Sequence, residues 1–295
     1  MPHVSGRRRI LFAAAGGHGH LQPLLPLAER AALTGHEVLV TGAASLGGHV
    51  TARGLAFAAT GPDLVSIAAP LTVHDVDDER RVVASYFVAR LGRARARHVF
   101  DLCSSWQPDV VVRDEMDFGA AVAAEAAGLP HVQVIVIGAG GFILPELVHD
   151  PLNALLAEFG AEQAGFDMLH RDLTLTPFPA SLRDPAHPPA GPAISYHVPP
   201  LPKSRSKRTK TSLFVTLGTI FNTESGDLLR TATLGAAECP AVERVDVATG
   251  EHVDPASLGP LPKHVGVHRF VDQPRCSPRL TPSSVTADRA PSSAP

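Results

Sequence analysis

Along this chain, short continuous apolar runs alternate with stretches whose apolar residues recur every three or four positions. The first run, Ile10 to Ala15, ends in Gly16, Gly17, His18, Gly19 and His20. Leu21, Leu24, Leu25, Ala28 and Ala32 then fall on one helical stripe. Pro23 and Pro26 stand near its first turn, where a missing N–H costs least. This predicts a strand, a glycine turn and a helix, the opening unit of a doubly wound α/β sheet. Glu37 to Thr41 and Leu55 to Ala59 predict the second and third strands, with helical residues near Leu46 to Arg53. Gly61 to Asp78 shows no period and reads as a long loop. Glu79 to Ser104 predicts a long helix with Arg90, Arg93, Arg95 and Arg97 on a solvated face. Pro108 to Arg113 is a short strand with Asp114 at its carboxyl end. Asp117 is placed to cap the helix that follows, which Gly128 and Pro130 end. His131 to Ile137 predicts another strand, closed by Gly138 to Gly141, and Pro145 to Glu162 is helical in pattern.

The pattern breaks at Thr176. From there to Lys210 the chain holds nine prolines, and Lys203 to Lys210 contains five basic residues. That composition predicts a linker, its basic run solvated. Strand–turn–helix order returns with Ser212 to Leu217, a turn at Gly218–Thr219 and a helix near Glu224 to Ala237. Val242 to Ala248 and Val265 to Val271 predict two further strands. The expected organisation is a complete N-terminal Rossmann-like domain (1–175), a Pro-rich, basic linker (176–210), a partial second Rossmann-like domain (211–273) and a tail (274–295).

Composition narrows the class. A length of 295 residues accommodates two domains, and a formal net charge of −3 gives no reason to expect nucleic acid or an anionic membrane as partner. Cys103, Cys239 and Cys276 form neither a metal motif nor a disulfide framework, which favours a reducing cytoplasm. Arg7, Arg8 and Arg9 precede an apolar run too short for a secretion signal. The run Val132 to Leu144 is too short to span a bilayer. No CxxC or HExxH spacing suggests a metal site. The Gly16–Gly19 turn lacks the third glycine of a GxGxxG dinucleotide fingerprint.

The candidate chemistry lies at His20 and Asp114. In a doubly wound order the first strand and the strand after the first three are neighbours, so both residues fall beyond adjacent carboxyl ends. A carboxylate on one ring nitrogen would fix the tautomer while the other nitrogen takes a proton. Other histidines, such as His36 and His131, read as structural or exposed.

Two motifs carry a family resemblance. GGHGHLQPLLPLAERAALTGHEVLV resembles the amino-terminal motif of family 1 glycosyltransferases of GT-B fold. FVTLGTIFN and LPKHVGVHRFVDQ resemble the start of that family's nucleotide-sugar domain. The likeness covers residues 9 to 273 and is closest to actinobacterial natural-product enzymes of macrolide type. It implies a GT-B-like α/β fold whose first domain binds the acceptor. It also implies an inverting transfer from a UDP- or dTDP-sugar to a hydroxyl of a small hydrophobic, polyketide-like acceptor. By position, His20 matches the catalytic base and Asp114 its orienting acid. Gly218 and Thr219 match the donor diphosphate loop, and Phe270 and Gln273 the segment cradling the nucleotide base. No cofactor or metal is implied beyond the nucleotide sugar as co-substrate, the diphosphate being held by helix amino-termini and backbone N–H groups. The implied setting is cytoplasmic, with homodimerisation left open.

The chain departs from the family after Gln273, where an HGG-type loop is expected. Residues 274–295 instead hold five prolines and five serines in 22 positions. They read as a disordered tail from a frameshift or truncated reading frame, with weak or absent transferase activity as the consequence. Two other classes stay open: a non-catalytic acceptor-binding helper protein and a nucleotide-sugar epimerase of related fold.

Overall fold

The structure is a computed structural model in which residues 6–62, 76–197, 211–218, 227–250 and 253–271 are described. The chain divides into two compact units, Met1–Val198 and Pro199–Pro295.

In the first unit, β1 (Arg9–Ala13), β2 (Glu37–Gly42), β3 (Ala56–Ala59), β4 (Val110–Asp114), β5 (His131–Val134), β6 (Leu173–Thr176) and β7 (Ala193–Ser195) form one parallel sheet. Their order is β3-β2-β1-β4-β5-β6-β7, so the direction of winding switches between β1 and β4. Leu11 pairs in register with Leu39 on one side and Val111 on the other. These strands are continuous apolar runs because helices cover both faces of the sheet.

The helices are α1 (His18–Leu21), α2 (Leu25–Leu33), α3 (Gly47–Thr51), α4 (Val76–Val82), α5 (Arg93–Trp106), α6 (Phe118–Ala126), α7 (Pro145–Ala157) and α8 (Met168–Arg171). Phe12, Val40, Val112 and Val134 pack with Leu21, Leu24, Leu25 and Val50. Leu11, Ala13 and Val111 pack with Val99, Cys103, Ala120 and Ala124. Between α4 and α5 the coil widens into ten π-helical residues, Val83–Gly92. Tyr86, Phe87, Val88 and Leu91 of this segment are buried with Phe118, Leu152 and Leu155.

Four expectations change. Arg95 is not on a solvated face: it is 1% exposed, and its guanidinium grips both oxygens of Asp117 at 3.1 and 2.6 Å. Space for it exists because Gly119 has no Cβ, which would sit 2.9 Å from the Arg95 Cβ. Arg90, Arg93 and Arg97 are exposed as expected. The proline-rich stretch from 176 is in part sheet, since Ala193–Ser195 pairs with Leu173–Thr176 as the seventh strand. Ile194 on this edge is 56% exposed, so burial leaves no pattern there to read. The strand from His131 stops at Val134, because Glu115 takes the N–H groups of Val136 and Ile137 from the ladder. Of the stretch 61–78, Val76–Asp78 already belongs to α4, and 63–75 lies outside the described residues.

The second unit carries β8 (Thr211–Thr216), β9 (Val242–Ala248) and β10 (Val265–His268) in a parallel sheet of order β10-β9-β8. Helix α9 (Leu228–Glu238) packs Leu229 and Ala237 against Val245, Val247 and Leu258. The basic run 203–210 and the stretch 274–295 lie outside the described residues. No helix among the described residues is long and apolar enough to cross a membrane.

Candidate active site

Strands β1 and β4 end side by side, and each delivers one functional side chain. Beyond Ala13 the chain turns through Gly16 and Gly17 into α1, which carries His20. Asp114 is the last residue of β4 and is fully buried. Its Oδ2 accepts from the Ala15 N–H at 2.7 Å, tying the two strand ends together. Its Oδ1 accepts from the Met116 N–H at 2.7 Å and lies 3.1 Å from Nδ1 of His20. His20 is 8% exposed. With Nδ1–H committed to the carboxylate, the lone pair for a proton falls on Nε2.

The imidazole lies over the bare Cα of Gly16, where a Cβ would stand 1.9 Å from Cδ2 and 2.5 Å from Nε2. Its other face stacks on Phe87, centroids 5.8 Å apart and planes 23° from parallel. The π-helical segment thus supplies a wall for the ring, in keeping with the recurrence of such coils at functional sites. Gly16→Ala is expected to push the ring off Asp114 and to lower the melting temperature, because the buried carboxylate loses its histidine partner. The expected readout is a His20 pKa that loses its dependence on Asp114, together with that lower melting temperature. NMR titration and a thermal melt measure the two.

Electrostatics follow from this packing. Burial pulls the His20 pKa down, but the charge and hydrogen bond of Asp114, with the charges of Glu115 and Asp117, leave it above 6.5. Burial pushes Asp114 up, yet His20 and the backbone N–H groups of Ala15 and Met116 hold it below its usual value. The raised histidine adds stability that is full below its unfolded pKa and lost as pH climbs through the folded one. The lowered carboxyl adds stability present above about 3.9 and lost as pH falls through its folded value. Both describe one ion pair, so its stabilisation is greatest between about pH 4 and 6.5. A stability–pH curve that flattens there in Asp114→Asn checks this.

Arg113 supports the site from beneath. It is fully buried, and desolvation lowers its pKa to about 10. Its guanidinium donates to the carbonyls of Asp114 (3.2 Å), Glu115 (3.3 Å) and Leu169 (3.0 Å) and to Gln133 Oε1 (3.1 Å). Among the sequence-predicted residues, His20 and Asp114 are brought together. His18 instead meets His49 edge-on at 4.5 Å. His131 is buried with Nε2 3.2 Å from Glu125.

Gly218 and Phe270 belong to the second unit, each two residues past the carboxyl end of a parallel strand, β8 and β10 respectively. Gly218 has φ +80°, a conformation that favours glycine, and Phe270 is 53% exposed. Thr219 and Gln273 lie outside the described residues. No three His, Cys, Asp or Glu side chains converge as metal ligands among the described residues. The sequence reading passed over Phe87, Arg113 and Glu115. Arg113 and Glu115, which flank Asp114, carried a signal in the residue order; Phe87 carried none.

No protein-family model matches the chain. It is 29% identical over 215 residues to a 10-deoxymethynolide desosaminyltransferase of Streptomyces venezuelae, covering 59% of this chain and 50% of that protein. The chain spans about half the length, or less, of the curated relatives it matches. The crystal structure of CalG4, the calicheamicin glycosyltransferase, matches with a TM-score of 0.60 at 26% identity, over 90% of this chain and 71% of that one. Glycosyltransferase VinC in complex with dTDP shares the fold, with a TM-score of 0.60 at 22% identity over 89% of this chain and 72% of its own. In sequence this chain is similar to actinobacterial antibiotic glycosyltransferases, and its fold is the α/β architecture of their solved GT-B structures.

Proposed function

We propose that the chain serves transfer of a sugar from a nucleotide-diphosphate sugar to a hydroxyl of a small natural-product acceptor, with His20 as general base. The observation that carries this reading is the 3.1 Å contact between His20 Nδ1 and Asp114 Oδ1 at the switch point. Nε2 removes the acceptor hydroxyl proton as the oxygen bonds to the anomeric carbon. The bond from that carbon to the phosphate oxygen breaks, and its electron pair leaves with the nucleoside diphosphate. Attack opposite the leaving group inverts the anomeric configuration. Asp114 holds the tautomer and stabilises the imidazolium that forms. Gly218 and Thr219 are assigned to the donor diphosphate, and Phe270 and Gln273 to its base. The scheme draws on no cofactor, the nucleotide sugar being a co-substrate. Two likenesses support the substrate classes: the aglycone in the desosaminyltransferase's name and the dTDP bound to VinC.

The base must be neutral to act, so transfer is expected to rise with pH through a midpoint above 6.5, the direction of the His20 shift. Incubation of the chain with dTDP- or UDP-sugars and 10-deoxymethynolide across pH 5 to 9, read by mass spectrometry, tests it. A glycoside with that acid limb is the expected product. Free epimerised sugar would point to an epimerase, and aglycone binding without product to an acceptor-binding helper.

A further inference from the structure

Within the first unit, beside the carboxyl ends of β4 and β5, lies a cavity of about 260 Å³. Ile135, Ile137, Phe142, Ile143 and Phe166 give it apolar walls. Glu115, 5% exposed, supplies a carboxyl to the lining. Its two oxygens are used differently. Oε1 accepts from the backbone N–H groups of Val136 at 2.8 Å and Ile137 at 2.6 Å. Oε2 accepts from no described residue. It is not sealed either, since Nδ1 of His170 is the one fully buried side-chain polar atom without a partner among the described residues. The cavity is therefore the space open to it.

The other charged groups at this edge are committed. Asp114 serves His20 and two backbone donors, and Asp117 is held by Arg95. Arg183, also on the lining, donates to the carbonyls of His187 at 2.6 Å and Ile137 at 3.4 Å. An acceptor left unmade in apolar surroundings is costly, so a ligand that donates to it gains twice, by its own bond and by relieving the carboxyl. The Arg183 guanidinium disfavours a cationic donor. A hydroxyl donates without charge. The volume falls a little below that of sites enclosing a whole drug-sized molecule, so it suits one end of an aglycone.

We propose that Glu115 Oε2 anchors a hydroxyl of an apolar, polyhydroxylated acceptor and thereby selects which other hydroxyl meets His20. Consecutive residues at the end of β4 point to opposite sides, Asp114 towards His20 and Glu115 towards the segment after β5. One carboxyl thus orients the base while the next orients the substrate. The inference rests on the reading of the first unit as the acceptor site.

Glu115→Gln separates the possibilities. The amide keeps a carbonyl oxygen for the two backbone N–H groups and puts an NH₂ donor where Oε2 stood. Calorimetric titration of the full chain with alizarin, which carries two hydroxyls, is compared with its dimethyl ether. Alizarin is expected to bind Glu115→Gln on the order of tenfold or more weakly than the parent chain. The dimethyl ether is expected to bind the variant no more weakly than the parent. Equal affinity of alizarin for both proteins overturns the anchor and leaves the acceptor reading standing. Absence of binding by the parent chain overturns both. Should the glutamine variant fail to fold, Ala190→Trp at the exposed rim of the cavity is expected to abolish alizarin binding with an unchanged melt. Retained affinity there also overturns the proposal.

Discussion

His20→Ala is expected to lower the transfer rate by about 10²- to 10⁴-fold, the range that a positioned general base contributes. That corresponds to roughly 2.7 to 5.4 kcal/mol of barrier. The loss should appear in kcat, because the proton moves in the transition state and the imidazole is not part of the lining of the cavity beside β4 and β5. Asp114→Asn should lose rate as well, although the amide can still accept from Nδ1–H. What it lacks is the negative charge that stabilises the imidazolium, and its acid limb should move to lower pH because burial is then opposed only by the charges of Glu115 and Asp117. Single-turnover kinetics of both variants with a nucleotide sugar and an aglycone measure these effects. Parent-like rates in His20→Ala would remove the base from the scheme.

Asp117→Ala is expected to cost about 3–5 kcal/mol of folding stability, the penalty for leaving a buried cation without its counter-ion. The side chain does three things at once. It pairs both oxygens with Arg95, its Oδ1 accepts from the Ala120 N–H as the cap of α6, and its charge helps raise His20. Loss of the cap alone accounts for about 1 kcal/mol. Arg95 would retain only the Thr60 carbonyl at 2.8 Å and hydroxyl at 3.2 Å. A double variant that also replaces Arg95 with methionine should be more stable than Asp117→Ala alone, since the orphaned charge is gone. Urea midpoints of the parent, both single variants and the double variant settle the cycle. A cost below about 1 kcal/mol for Asp117→Ala would contradict the pair's importance.

These two effects differ in how far the sequence reveals them. His20 and Asp114 were legible because each sits at the end of a strand with an unambiguous apolar run, and doubly wound topology makes those strands neighbours. Arg95 was not. Four arginines at nearly alternate positions look like a solvated face, and its burial depends on Gly61 and Gly119 leaving room beside its side chain. The last two strands of the first sheet escaped for another reason. Leu173–Thr176 is four residues long, and Ala193–Ser195 is an exposed three-residue edge among prolines, so neither carries a burial pattern. Glu115 stood in plain view next to Asp114, but sequence cannot show that one of its oxygens is spent on the backbone and the other is open. The second unit's strands and helix followed their apolar patterns closely, with Val242–Ala248 read to the residue.

The pairing of His20 with Asp114 is most directly tested by NMR titration of the histidines in the intact chain, with the His20 signal assigned from a His20→Gln spectrum. The expected result is a His20 midpoint above 6.5 that falls in Asp114→Asn, because desolvation is then no longer opposed by that charge. A midpoint at or below 6.5 in the parent chain, unmoved by the Asp114 substitution, would contradict it.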